Sequence, residues 1–217
     1  MTIERGIVVS SLAASVLALG MLVLAMTTGV SQEWFELVHT TAEYGGRLVA
    51  QDATLRLAFT FDDLFLLSYA TFFALFCVER WNRSPRVLVV LQLVFGELTA
   101  VLDMAENHHI LAMLAASKIG VLPTAGDITF QVLESAVKFH VSYLAMIFAA
   151  FIYPREKILG RLVAWGTGLV YPILGAVAFT APPDLVAWLS LARVLFFVVG
   201  LAASAYLYAT KSTSTEV

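Results

Sequence analysis

The sequence predicts an all-α polytopic membrane protein, a bundle of six transmembrane helices. Three observations predict it. Hydrophobic residues make up 60% of the 217 and charged residues only 13%, against about 25% charge in a soluble domain. Apolar runs of spanning length occur six times, each close to the ~20 residues that cross hydrocarbon. The breaks between runs are rich in arginine, glycine and proline, the residues that end helices.

The elements follow in order. The first run, 7–29, comes after Arg5. It is too long for the apolar core of a signal peptide and no Ala-x-Ala cleavage site follows, so it reads as an uncleaved first helix. Residues 30–56 form a long loop. Ser31 can cap a short interfacial helix there, with Trp34, Phe35, Leu37 and Val38 on an apolar side beside Glu33 and Glu36. The other reading of the loop is a lid over a cavity, using His39 and Glu43. The second span is 57–79. Glu79–Arg86 then holds three arginines, Asn82 and Pro85. The third, 86–114, is long enough that it must tilt or project from the bilayer. Gly120, Pro123 and Gly126 separate it from the fourth, 128–153. Pro154 precedes the fifth, 159–180, whose Gly166, Gly168, Pro172 and Gly175 permit close packing or a kink. Pro182 and Pro183 precede the sixth, 185–209, and a polar tail, 211–217, is expected to be disordered.

Lysine and arginine placement sets the orientation. Arg5, Arg80, Arg83, Arg86, Arg155, Lys157, Arg161 and Lys211 fall on one side; Arg47, Arg56 and Lys118 fall on the other. By the positive-inside rule, eight against three puts both termini in the cytoplasm of a bacterial-type inner membrane and residues 30–56 outside. The net charge of −3 argues against a nucleic-acid partner. The lone Cys77 excludes an internal disulfide and a cysteine-based zinc site, and is expected to be an inert thiol near a helix end.

The ionisable residues inside these runs carry the functional signal. They are Asp62, Asp63, Glu97, Asp103, Glu106, His108, His109, Glu134, Lys138, His140 and Arg193. A charge in hydrocarbon costs roughly 3 kcal/mol on insertion scales, so it is kept only when paired, wet or functional. At about 1.5 Å of rise per residue, Glu97, Lys138 and His140 lie near the midplane and the others toward the outer surface. Asp127, Gln131, Glu134, Lys138 and Ser142 form one helical stripe; Thr99, Asp103, Glu106 and Asn107 form a second. Glu134 and Lys138 stand at the i,i+4 spacing of a favourable pair. Matching depth predicts two ion pairs, Glu97–Lys138 and Arg193 with Asp62 or Asp63.

Several chemistries compete for this cluster. The structural one is interhelical bonding alone, each bond worth about 1 kcal/mol in membranes. Six acids, Asp62, Asp63, Glu97, Asp103, Glu106 and Glu134, face two fixed cations, Lys138 and Arg193. That surplus suggests water, a proton path or a bound cation. Glu106-x-x-His109 has the spacing used in di-metal carboxylate bundles, so Asp103, Glu106 and His109 are candidate ligands for a divalent metal, with Glu134 and His140 as further donors. The second Glu-x-x-His that such sites need is absent. A b-type haem between two histidines fits poorly, because His140 and His108/His109 differ in depth. Proton-coupled transport is a further reading, although the two halves show no convincing repeat. No G-x-S-x-G, Walker, H-E-x-x-H or paired CxxC motif occurs. Ser135 reads as an interhelical hydrogen-bond donor, and Tyr69, Tyr143 and Tyr171 as packing.

Thr54-Leu55-Arg56-Leu57-Ala58 leads into the Asp62-Asp63 helix, and Tyr153-Pro154-Arg155, then Ile158-Leu159-Gly160, join the fourth and fifth spans. This order resembles a group of uncharacterised bacterial six-helix integral membrane proteins, which share a leucine–arginine start to the second span and a proline–arginine–isoleucine–leucine–glycine turn before the fifth. Here Glu156-Lys157 interrupts that turn. The resemblance implies a six-span fold and no particular activity. The 103–109 run lies outside it.

The expectation is a membrane protein, not an enzyme, whose outer half holds a polar, acid-rich cavity for a small ligand or cation, or docks a partner. Its lining is expected from Glu97, Asp103, Glu106, Glu134, Lys138 and His140, with Asp62, Asp63 and Arg193 in support. The alternatives are a small metal-dependent enzyme acting on a lipid or other apolar substrate from the outer face, and a proton-coupled transporter. The partners expected are the lipid bilayer and, beyond it, a second copy or another membrane protein.

Overall fold

The computed structural model describes residues 2–212. Residues 213–217 of the expected polar tail lie outside them. The helices in chain order are α1 (Ile3–Thr28), α2 (Thr41–Ala50), α3 (Asp52–Arg80), α4 (Arg86–Lys118), α5 (Ala125–Ile152), α6 (Ile158–Trp165), α7 (Tyr171–Ala178) and α8 (Pro183–Ser212). No strand occurs among the described residues. Six segments are long and apolar enough to cross a membrane: α1, α3, α4, α5, Ile158–Ala178 and Trp188–Thr210. The fold is an all-α six-helix bundle, and the protein is a multi-pass membrane protein in contact with lipid.

The burial pattern reverses that of a soluble bundle. On α1, Val9, Leu12, Val16, Leu19 and Val23 face outward, while Ile7, Ser11, Ala14 and Ala18 face inward. The small inward residues bring α1 close to α3 and α8, its two neighbours. The hydroxyls of Ser10, Ser11 and Ser15 donate to carbonyls one turn back, so their burial leaves no orphan donor. Gly29 ends α1 in the left-handed region at φ 68°, a conformation glycine adopts without strain.

The segment between α1 and α3 differs from the expectation. No α-helix starts at Ser31; Ser31 stands at the N-cap position of a single 3-10 turn, residues 32–34, but its side chain makes no capping bond. The helix lies further on, at α2. Thr40 and Glu43 form a capping box at its start, with Thr40 Oγ1 accepting from the Glu43 N–H and Glu43 accepting from the Thr40 N–H. Phe35 is fully buried and, with Val30, Tyr44 and Leu48, joins Leu55, Phe59, Ile110, Met113, Leu114 and Ile128 in a small core of its own. The stretch 30–36, the strap below, is thereby pinned into the bundle.

The fifth span is not a continuous α-helix. Residues 166–170 form a π turn, and the Tyr171 N–H bonds to the Gly166 carbonyl five residues back. Pro172 has no N–H to give the carbonyl four residues before it and its ring crowds that position, which accounts for the widened turn. The glycines here also permit close packing. A Cβ on Gly166 would stand 2.3 Å from the Phe196 ring, and one on Gly175 would stand 2.0 Å from the Tyr143 ring.

Candidate functional site

Apart from Glu79 and Arg80, which are buried at the opposite end, the buried charges gather at the α2 end of the bundle, on the inward faces of α3, α4, α5 and α8. Lys138 of α5 is their centre and is 5% exposed. Its Nζ is 3.0 Å from Asp103 Oδ1, bonds closely to Glu106 Oε2, and lies 3.7 Å from Glu36 Oε1. The second Glu106 oxygen accepts from Gln131 Nε2 at 2.8 Å and from the Ser135 hydroxyl. The second Asp103 oxygen accepts from the Tyr69 hydroxyl at 3.2 Å. Ser135 is thus the interhelical donor the sequence suggests, while Tyr69 does more than pack.

Asp62 and Asp63 of α3 share one donor. Asn107 Nδ2 lies 2.8 Å from Asp62 Oδ2 and 3.1 Å from Asp63 Oδ1. Asn107 Oδ1 accepts in turn from Gln32 Nε2 at 3.0 Å. One fully buried amide therefore ties α3 and the strap to α4.

Neither ion pair expected from depth forms. Glu97 is half-buried on another face of α4, and its buried Oε1 has no hydrogen-bond partner. Nine residues at about 100° each turn it to the face opposite Glu106. Arg193 faces the same interior as Asp62 but bonds to neither aspartate. Its Nη1 donates to the Tyr143 hydroxyl at 3.3 Å, and its guanidinium lies 3.8 Å over the Phe139 ring. Glu134 does not pair with Lys138 either; its Oε2 lies 2.6 Å from His109 Nδ1. His140, two residues past Lys138, turns outward, bonds to the Ala136 carbonyl and stacks on Phe179. His108 is exposed and bonds to the Met104 carbonyl.

The metal triad does not assemble. An ammonium, Lys138, already sits between Asp103 and Glu106, while His109 is engaged by Glu134. Among the described residues no three His, Cys, Asp or Glu side chains come together as a metal site.

Beside Lys138 lies a cavity of about 300 Å³. Its charged lining is Glu33, Glu36, Asp62, Asp103, Lys138 and Arg193; the rest is largely apolar, from α1 (Ala18, Met21, Leu22), Phe65, Phe139, Val194 and Phe197. Of the expected lining, Asp62, Asp103, Lys138 and Arg193 are present. Glu106 stands behind Lys138, and Glu97, Glu134 and His140 lie elsewhere. Glu33 and Glu36, read as the polar side of an interfacial helix, are the residues the sequence reading missed as lining. The signal was there: two acids flank Trp34-Phe35, an aromatic anchor that seats the segment in the bundle.

The strap is clamped from outside. Trp34 stacks on His39 at 3.6 Å between ring centres, Arg47 lies 4.4 Å over the Trp34 ring, and the Tyr44 hydroxyl donates to the Phe35 carbonyl. His39 and Glu43, the residues expected to form a lid, serve this clamp and the α2 cap instead. Burial pushes the Glu33 and Glu36 carboxyls above the usual carboxylate range, with Arg193 opposing the shift at Glu33 and Lys138 and Arg193 opposing it at Glu36.

No protein-family model, curated protein or solved structure matches this chain.

Proposed function

We propose that this protein binds a small amphiphilic cation in the cavity beside Lys138. The observation that carries the reading is the composition of the lining. Four carboxylates, Glu33, Glu36, Asp62 and Asp103, face two cations, and the remaining walls are largely aliphatic and aromatic. Lys138 is already surrounded by Asp103, Glu106 and Glu36. Carboxylates left in apolar surroundings without a full counter-charge are costly. An ammonium head group offsets that cost, and its hydrocarbon part suits the apolar walls.

The cavity lies in the outer half of a bacterial-type cytoplasmic membrane, with both termini inside. The eight-to-three bias of basic residues supports this orientation. The metal-enzyme alternative draws no support from ligands that are already paired with Lys138 or with each other.

Three probes of equal chain length test the reading: decylammonium, decanol and decanoate, titrated onto purified protein in a nonionic detergent and read by native mass spectrometry. Decylammonium is expected to bind at least about tenfold tighter than the other two, a difference of about 1.4 kcal/mol. Asp62→Asn is expected to remove most of that preference. Equal retention of all three, or a preference for decanoate, rejects the proposal.

A further inference from the structure

We infer a second site at the opposite end of the bundle, a groove that takes the phosphate of an anionic phospholipid. The groove has a volume of about 500 Å³ and is lined by Arg80, Arg83, Lys157 and Glu156 over Pro154, Leu207 and Tyr208.

Its depth is the first argument. Three membrane-spanning segments end beside it, at Arg80, Ile152 and Thr210. A groove where spans end lies at the level of lipid head groups. Basic pockets between helices at that level recognise anionic head groups.

Its charge is the second. Three cations line it against one carboxylate, Glu156. Behind them Glu79 is committed: it accepts from Arg83 Nη1 at 2.6 Å and from the Tyr208 hydroxyl at 3.0 Å, and lies 3.8 Å from Arg80. Counting Glu79 still leaves the cations in excess. Arg83 is half exposed and a guanidinium carries five donors, so donors remain for a ligand.

A buried guanidinium is the third. Arg80 is only 8% exposed. Its Nη2 donates to Ser84 Oγ at 3.2 Å, but its Nε–H has no acceptor. That Nε is closed to solvent, so Arg80 acts on the groove through its charge, while Arg83 and Lys157 supply exposed donors; together they fit an oxyanion with several acceptor oxygens. The apolar floor of Pro154, Leu207 and Tyr208 suits the glycerol and upper acyl carbons of a lipid, and this favours a lipid phosphate over a free one.

The test uses delipidated full-length protein in nonionic detergent, unfolded thermally with phosphatidylglycerol, phosphatidylcholine or inorganic phosphate added. Phosphatidylglycerol is expected to raise Tm by several degrees more than phosphatidylcholine, and that excess is expected to vanish in an R83Q/K157Q variant. Equal shifts from the two lipids, or an excess that survives in the variant, overturns the proposal. Inorganic phosphate matching phosphatidylglycerol overturns the lipid assignment in favour of a free oxyanion. Should the double variant fail to fold, Lys157→Gln alters an exposed side chain whose Nζ donates to Thr210 Oγ1 at 3.2 Å. It is read by retention of phosphatidylglycerol in native mass spectrometry, and unchanged retention overturns the proposal.

Discussion

Lys138 Nζ lies 3.0 Å from Asp103 Oδ1, and this contact sets α5 against α4 in the interior of the bundle. It also fixes which acids count. Asp103 and Glu106 lie on the face of α4 that meets Lys138 of α5, whereas Glu97 does not. Lys138→Met leaves Asp103, Glu106 and Glu36 without their ammonium. Breaking a buried pair in this way costs about 3–5 kcal/mol, to be read as lost stability in detergent unfolding.

Double-variant cycles separate the observed pair from the expected one. Lys138→Met with Asp103→Asn should show a coupling energy of about 0.5–3 kcal/mol. Lys138→Met with Glu97→Gln should be additive to within about 0.5 kcal/mol. Coupling in the second cycle and none in the first would count against the structure's assignment of partners.

Gly175 and Gly46 make an opposed pair. An alanine Cβ at 175 would stand 2.0 Å from the Tyr143 ring, which holds Arg193 through its hydroxyl. Gly175→Ala is expected to destabilise by about 1–3 kcal/mol through overpacking. Gly46 lies within α2 with nothing inside 4 Å of its missing Cβ. Gly46→Ala is expected to leave stability equal or raise it by up to about 1 kcal/mol. Thermal unfolding of both variants checks the contrast.

The strap should respond to pH. Burial raises the carboxyls of Glu33 and Glu36, which face Lys138, Arg193 and Asp103. An acid raised in the folded state binds its proton more tightly there. Its stabilising effect is full below the ordinary value of 4.5 and is lost as pH rises through the raised value. Amide exchange over residues 31–36, corrected for intrinsic rates, should therefore be better protected at pH 5.5 than at pH 8. Glu36→Gln should flatten the difference, and stronger protection at the higher pH would contradict the assignment.

Cysteine labelling tests the orientation without background, because the native Cys77 is 2% exposed. Ala42→Cys and Val121→Cys, both exposed, should react with an impermeant reagent added to intact cells. Asn82→Cys should react only after the cells are opened. The reverse pattern inverts the proposed topology.

Much of this was legible in the residues. The six spans needed only contiguous hydrophobicity, which is a local property of about 20 residues. The inward stripe of α4, Thr99, Asp103, Glu106 and Asn107, followed from helical spacing and is buried as expected. So did Gln131, Lys138 and Ser142 on α5, although the neighbouring Ser135 takes the place given to Glu134. Other errors were also of rotation. Glu97 and His140 were expected to join Lys138 from their depth alone, but their angular positions turn Glu97 to the face of α4 opposite Glu106 and His140 outward.

The sequence by itself determined that this chain is a multi-span bundle with ionisable residues in its interior, because span length, helix ends and stripe spacing are set by neighbours in the chain. The tertiary structure alone decided which charges meet. Depth is one coordinate, and pairing needs two more: the angle about each helix axis and the path of the segment between helices. The strap carries Glu33 and Glu36 back to Lys138 and Arg193, residues more than 100 positions away. No local pattern encodes that return. It results from the packing of Phe35 and Tyr44 and the hydrogen bond from Gln32 to Asn107.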